Sequence, residues 1–149
     1  TDNLSTSSAI GYVFDGTRSC GIIECVAVSN GGQVGNGIGY KFFGGYNNAF
    51  KECGAQGNFG SNAGIGYVLT GGEDSTHILQ SFALSNKGGD AGYGILLDGC
   101  TNCSVLENKL NNQAGALVGV AYLDTTTVLS TNVIKHNLYY HNSTQADVD

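Results

Sequence analysis

The stretch "GIGYKFFGG" at Gly37–Gly45 returns 27 residues later as "GIGYVLTGG" at Gly64–Gly72. A glycine at the centre of a strand-like segment gives up a side chain that could pack. Its return at a fixed interval says that repetition sets the fold. Aligning the phrase along the chain yields five units, starting near Ala9, Gly37, Gly64, Gly92 and Gly119, at intervals of 28, 27, 28 and 27. A second block keeps its own register: "CVAVSN" from Cys25, "CGAQGN" from Cys53, "SFALSN" from Ser81, "NKLNNQ" from Asn108 and "HNLYYH" from His136, at intervals of 28, 28, 27 and 28. Two blocks with one period, and length changes confined to the links, define an internal repeat.

Within each unit the apolar period is two, as in Ile10, Tyr12 and Phe14, or Ile38, Tyr40 and Phe42. That is the period of a strand. No unit of this length buries its inner face alone, and stacking equivalent strands about 4.8 Å apart gives each a partner. The expected fold is all-β: a right-handed, single-stranded parallel β-helix of about five turns of 27–28 residues, spanning 1–149 as one domain. Four inward ladders are expected. They are Ile10, Ile38, Ile65, Tyr93 and Val120; Tyr12, Tyr40, Tyr67, Ile95 and Tyr122; Ile22, Phe50, Ile78, Val105 and Val133; and Ala27, Ala55, Ala83, Leu110 and Leu138.

The stretch "GILLDGCTNCSVLENKL", Gly94 to Leu110, resembles the repeat of right-handed parallel β-helix proteins of the pectate-lyase-like superfamily, which reads roughly Gly-Ile-x-Leu, small polar turn residues, then Ile-x-x-Asn. The resemblance runs from about Ala9 to His141. It implies the fold and leaves the activity open. Relatives of this kind include polysaccharide lyases, pectin hydrolases, uronate epimerases, phage tailspikes and non-catalytic surface proteins, and a shared fold does not choose among them.

Composition narrows the choice. Charged residues are 12% of the chain, with one Arg, five Lys and a net charge of −6. Nucleic acid and anionic membrane surfaces require clustered cations, so neither is an expected partner. No apolar run is long enough for a membrane span. The chain has no Met, and its polar ends "TDNLSTSS" and "STQADVD" are poor caps, which together suit a processed chain or a piece of a longer fibre.

Few residues read as chemistry. Asp98 and Asp124 close the first strand of adjacent units, and carboxylates on adjacent turns would stand about 5 Å apart, inside the range of a glycosidase pair. Pectin hydrolases of the resembling superfamily carry carboxylates on successive turns, but their Asn-Thr-Asp, Asp-Asp, Gly-His-Gly and Arg-Ile-Lys motifs are missing here, and Asp98-Gly99 also reads as a turn. Glu24, Glu52, Gln80 and Glu107 form an outward column, and Ca²⁺ is the ion that such stacked oxygens would take; the competing reading is a solvated acidic column in which Lys51 neutralises Glu52. Cys25 and Cys53 are stacked neighbours, suited equally to a disulfide and to two buried thiols. Cys100-x-x-Cys103 lacks the second pair that a zinc site needs, Cys20 being three turns away. His77, His136 and His141 do not converge.

The outer face carries the stronger expectation. Gly11, Gly39, Gly66, Gly94 and Ala121 would point outward beside Val13, Lys41, Val68, Leu96 and Leu123, with Ile23, Lys51, Leu79, Leu106 and Ile134 on the next sheet. Contiguous apolar columns on an outer face mark a covered surface, with the glycines clearing a flat strip for a partner. The expected function is a non-catalytic β-helix module of an extracellular, cell-surface or virion fibre. It would self-associate, a tailspike-like trimer being the specific form, and would have scope to bind glycans through Tyr46, Tyr139 and Tyr140. The alternative is a polysaccharide lyase or glycoside hydrolase acting on acidic polysaccharide, through Asp98 and Asp124. The shortage of cations to hold an anionic substrate weighs against it.

Overall fold

A computed structural model describes residues 4–72, 74–111, 113–115, 118–125, 131–140 and 142, with the side chains of 118 and 120–122 outside the description. The expected Val120, Ala121, Tyr122 and His141 side chains therefore lie outside the described residues. The chain is all-β, and every strand pairing is parallel. The longest strands, Ala9–Asp15, Gly37–Phe43, Ala63–Thr70, Ala91–Asp98 and Val118–Asp124, stack into one five-stranded sheet. Gly21–Ile23, Ala49–Lys51, His77–Leu79, Ser104–Leu106 and Val133–Lys135 form a second. Val26–Val28, Gly54–Gln56, Phe82–Leu84, Lys109–Asn111 and Leu138–Tyr140 form a third. A four-stranded sheet of two-residue strands closes the tube at Leu4–Ser5, Gly31–Gly32, Phe59–Gly60 and Lys87–Gly88. This is a parallel β-solenoid, and its sheets are the columns that the repeat requires.

The aromatic ladder forms as the repeat dictates. Tyr12, Tyr40 and Tyr67 stack with ring centroids 5.1 and 5.0 Å apart and ring planes nearly parallel. Phe50, from the second sheet, meets Tyr40, Phe42 and Tyr67 edge-on at 5.1, 4.6 and 5.3 Å. Offset stacks and edge contacts are the favoured arrangements of aromatic quadrupoles. Ala27, Ala55 and Ala83, all fully buried, leave room opposite these rings.

Corner polar groups are met by side chains inside the tube. Asn30 donates from both its backbone N–H and its amide to Asn58 Oδ1, at 3.2 and 2.7 Å. Asn58 does the same to Asn86, and Asn86 to Gln113 Oε1. The backbone N–H of Gln113 continues to Asn142 Oδ1. At the next corner, Cys53 N–H donates to Ser81 Oγ, Ser81 N–H to Asn108 Oδ1, and Asn108 N–H to Asn137 Oδ1. A third column runs through Cys20, Asn48, Cys103 and Asn132. Buried backbone groups need partners, and at these corner positions the side chains supply them beside the backbone bonds between turns.

Three expectations are corrected. The first concerns the glycine phrase. The ladder pairing Ile10, Ile38, Ile65 and Tyr93 is in register, but pairing skips Gly39 and Gly66 and resumes at Tyr40 and Tyr67. A Cβ on Gly66 would meet the carbonyl oxygen of Gly94 at 2.5 Å, Ala83 Cβ at 2.9 Å and Asn86 Nδ2 at 3.1 Å. Gly39 faces Ala55 and Asn58 in the same way, and Gly94 is buried, with Gly11 half-buried. These glycines point into the tube. Glycine and the following residue both face inward, so the alternation slips by one and the isoleucines lie on the other side. There Ile38, Ile65 and Val68 pack with Ala63 and Ala91, flanked by Ile10, Tyr93 and Leu96, in a cluster separate from the core.

The second correction is a one-residue register shift in the last turn. Val105 pairs Ile134 rather than Val133, and Leu110 pairs Tyr139 rather than Leu138. Val133 and Leu138 are 41% and 48% exposed, while Ile134 and Tyr139 pack against the core. The corner residue after Asn108 is Asn137, so the interval there is 29 and not 28 (137 − 108). A slip of one residue turns every side chain to the other face. The third correction follows: the fifth member of the outer column Ile23, Lys51, Leu79 and Leu106 is Lys135, and Ile134 is inward.

Two substitutions test this packing. Gly66→Ala should destabilise the fold by about 1–3 kcal/mol through overpacking, while Gly21→Ala, which has open space around its Cβ position, should be near neutral. Urea denaturation that ranks them equally would contradict the inward orientation. Asn58→Leu strands two buried donors of Asn30 and should cost about 3 kcal/mol in the same assay.

Candidate functional site

The expected carboxylate pair is not brought together. Asp124 pairs in register with Leu97, a fully buried inward residue, while Asp98 is the next residue along and faces out. The two side chains therefore project to opposite sides of the sheet. Asp124 Oδ2 accepts from the Asn132 amide at 2.9 Å. Asp98 accepts from the hydroxyls of Thr70 at 3.1 Å and Thr125 at 2.9 Å, as one rung of an outer Thr-Asp-Thr ladder. These bonds tie three successive turns together.

Glu24, Glu52, Gln80 and Glu107 do stand in one outward column, at the corner between the second and third sheets. Each has a positive φ, between 49° and 57°, and His136 joins them at 58°. Each backbone N–H in the acidic column donates to a carbonyl of the next turn. Like charges are softened along the column: Lys51 Nζ lies 3.3 Å from Glu52 Oε1, and Gln80 Nε2 donates to Glu107 Oε2 at 3.0 Å. Among the described residues, no group of three or more His, Cys, Asp or Glu converges as a metal site. The Asn102 amide at 2.8 Å, then the Thr101 hydroxyl at 3.1 Å, hold the Asp74 carboxyl below the ordinary value.

All five cysteines are free thiols. Cys25 donates to the Ile23 carbonyl, and Cys53 to those of Ile22 and Lys51. Ser81 does the same to Leu79 one turn on. The Cys25–Cys53 pair is thus a thiol version of the corner hydroxyl. Burial pushes the Cys53 thiol up, and hydrogen bonding with Cys103, followed by burial, pushes the Cys100 thiol up. Thiols held neutral are poor nucleophiles, so Cys100-x-x-Cys103 reads as corner packing.

The aromatic candidates are dispersed. Tyr46 lies at the corner after the first sheet, with the Arg18 guanidinium 5.2 Å from its ring centre. Tyr139 packs on the core, and Tyr140 is exposed on the last turn. His77 Nδ1 and Ser104 Oγ form an isolated 2.6 Å hydrogen bond.

The structure adds a site that the repeat did not single out. Glu52, Gln80, Ser81, Phe82, Glu107 and Lys109 line a shallow cleft of ≈ 530 Å³ where the acidic corner meets the third sheet. Phe82 lies across Gly54 of the preceding turn, where a Cβ would collide with the ring. Phe59 covers Gly31 and Phe43 covers Gly71 by the same device. The signal was in the sequence: each glycine stands 28 residues from its aromatic (59 − 31, 82 − 54, 71 − 43).

No protein-family model, curated protein or solved structure matches the chain. The fold stands on the geometry described above.

The buried acids of the core predict a pH dependence. Cys53 and Cys100, with ordinary values of 9.0, and Tyr40 and Tyr67, with ordinary values of 10.0, are all raised, the tyrosines chiefly by burial. The folded chain holds them neutral where the unfolded chain ionises. Their contribution is full below about pH 9 and is lost as pH rises further. Urea unfolding at pH 7.0 and pH 10.5 should show a lower midpoint at the higher pH, at unchanged slope, and substituting Cys100→Ser should shrink the difference.

Proposed function

We propose that the chain is a non-catalytic β-helix module of an extracellular, cell-surface or virion fibre, and that it acts by assembling with copies of itself. The carrying observation is the outer surface of the two short-strand sheets. Ile23 is 61% exposed, and Leu79, Phe82 and Leu84 of one turn and Leu106 of the next are half-buried, with Lys51 between Ile23 and Leu79 in the column. Apolar side chains in contiguous outer columns favour a covering surface. Val13, 56% exposed, adds apolar surface on the first sheet, where Lys41 stands between it and the buried Val68. The trimer and the likeness to right-handed β-helix fibres such as tailspikes belong to the same reading. The inward glycines take no part in it, because they are not at the surface.

Asp98 and Asp124 on opposite faces of the sheet weigh against the lyase or hydrolase alternative that named them as a pair, which supports the non-catalytic reading. Light scattering at tens of micromolar protein should report a species larger than the 15.4 kDa chain. Leu79→Lys combined with Leu106→Lys should shift it to the single chain while circular dichroism stays that of a β protein. A monomer in the unsubstituted protein would overturn the assignment.

A further inference from the structure

We infer that Cys100 and Cys103 become joined by a disulfide when the chain folds in the presence of a disulfide oxidant. That the bond forms in the cell rests on the extracellular setting proposed above; the capacity of the corner to form it does not, and neither depends on self-association.

The backbone sets the two residues side by side. Thr101 and Asn102 make the outside of a corner, with Asn102 in the left-handed region at φ 52°, and the flanking cysteines are buried at 0% and 1% exposure. Asn132, one turn on, spans the pair. Its Oδ1 accepts from the Cys103 N–H at 2.9 Å, and its Nδ2 donates to the Cys100 carbonyl at 3.1 Å. Asn48 braces Thr17 and Cys20 in the same way. The fourth turn differs in carrying sulfur at both braced positions. Residues three apart around such a corner stand within about 7 Å at Cα, close to the span of a disulfide. The two thiols already touch through a hydrogen bond.

Oxidation leaves no buried polar group stranded. Cys103 Sγ donates to the Thr101 carbonyl at 3.4 Å, and that carbonyl also accepts from the Ser75 N–H at 3.0 Å. Asn132 keeps the Cys103 N–H on its Oδ1 and Asp124 Oδ2, at 2.9 Å, on its Nδ2. The remaining thiols are placed differently. Cys25 and Cys53 stand on separate turns and donate to the carbonyls of Ile23 and of Ile22 and Lys51.

Both sulfurs are shielded once the corner has closed, so the bond belongs to the open corner during folding. One cysteine thiolate attacks glutathione disulfide, and one glutathione thiolate leaves. The second cysteine then attacks the mixed disulfide and expels the other glutathione. Two electrons and two protons pass from the cysteines to two glutathione thiols. A fold that holds the sulfurs together favours the disulfide, and by reciprocity the disulfide favours the fold.

The test is refolding of the whole chain from urea, with mixed oxidised and reduced glutathione or with reduced glutathione alone, followed by iodoacetamide and mass spectrometry. After oxidative refolding, three of the five cysteines should label, and peptide mapping should place the cross-link between Cys100 and Cys103. The cross-linked chain should have the higher urea midpoint. Cys103→Ser should label at all four remaining cysteines, while Cys25→Ser should keep the bond. Peptide mapping of the unsubstituted chain decides the matter if Cys103→Ser fails to fold. The proposal is overturned if all five cysteines label after oxidative refolding, if the bond maps to Cys25 and Cys53, or if the cross-linked chain unfolds at no higher urea than the reduced one. A monomer that forms the bond would sink the assembly reading and leave this inference standing.

Discussion

The interaction on which the rest depends is the inward amide column Asn30–Asn58–Asn86–Gln113–Asn142. A solenoid turn must change direction several times within 27–28 residues, and each change takes backbone N–H groups out of the sheet. The bends here are sharp enough to put Glu24, Glu52, Gln80 and Glu107 into the left-handed region, a conformation that costs on the order of 1 kcal/mol for a residue with a side chain. Amides that reach from one turn to the backbone of the previous one satisfy the corner and fix the stacking register together. Cysteine, serine and asparagine share this duty at the neighbouring corner, where the half-buried Cys25 and the buried Cys53 are free thiols whose sulfurs donate to backbone carbonyls.

The central glycine of the repeated phrase follows from the same geometry. The first sheet must accommodate a full aromatic ladder and the amide column within one narrow section. Gly39 and Gly66 stand where the two meet, against Ala55 with Asn58 and Ala83 with Asn86. A side chain there would displace one or the other. The slip in alternation that results throws the isoleucines to the far face, where they make a small cluster of their own. Removal of side-chain bulk inside thus goes with a second buried apolar cluster on the far face of the sheet.

The repeat, the strand class and the Tyr12–Tyr40–Tyr67 stack were legible from period alone, because stacking demands that equivalent positions meet. Orientation was less so. A period of two says that neighbours alternate, and it gives no sign that Gly39 and Tyr40 face the same way. The last-turn shift escaped because "HNLYYH" matches the earlier blocks in character as well as "NLYYHN", which starts at Asn137 and carries the amide at its end. That terminal amide recurs in "CVAVSN", "CGAQGN" and "SFALSN", and following it would have placed both the column and the register. The opposed Asp98 and Asp124 come from the same kind of error, one residue in a strand. The cleft over Phe82 needed cross-turn pairing of a glycine with an aromatic, which is visible only once the turns are superposed.

The Thr70–Asp98–Thr125 ladder, like the amide column, links each turn only to its immediate neighbours. Nothing in such a design refers to the total number of turns. A block of one period could be excised between equivalent corner residues, Asn36 joined to Gly64 for instance, and every remaining layer would find the same kind of layer above and below. The molecule is in this sense a ruler graduated in steps of about 4.8 Å, whose length can change by whole graduations without redrawing the marks.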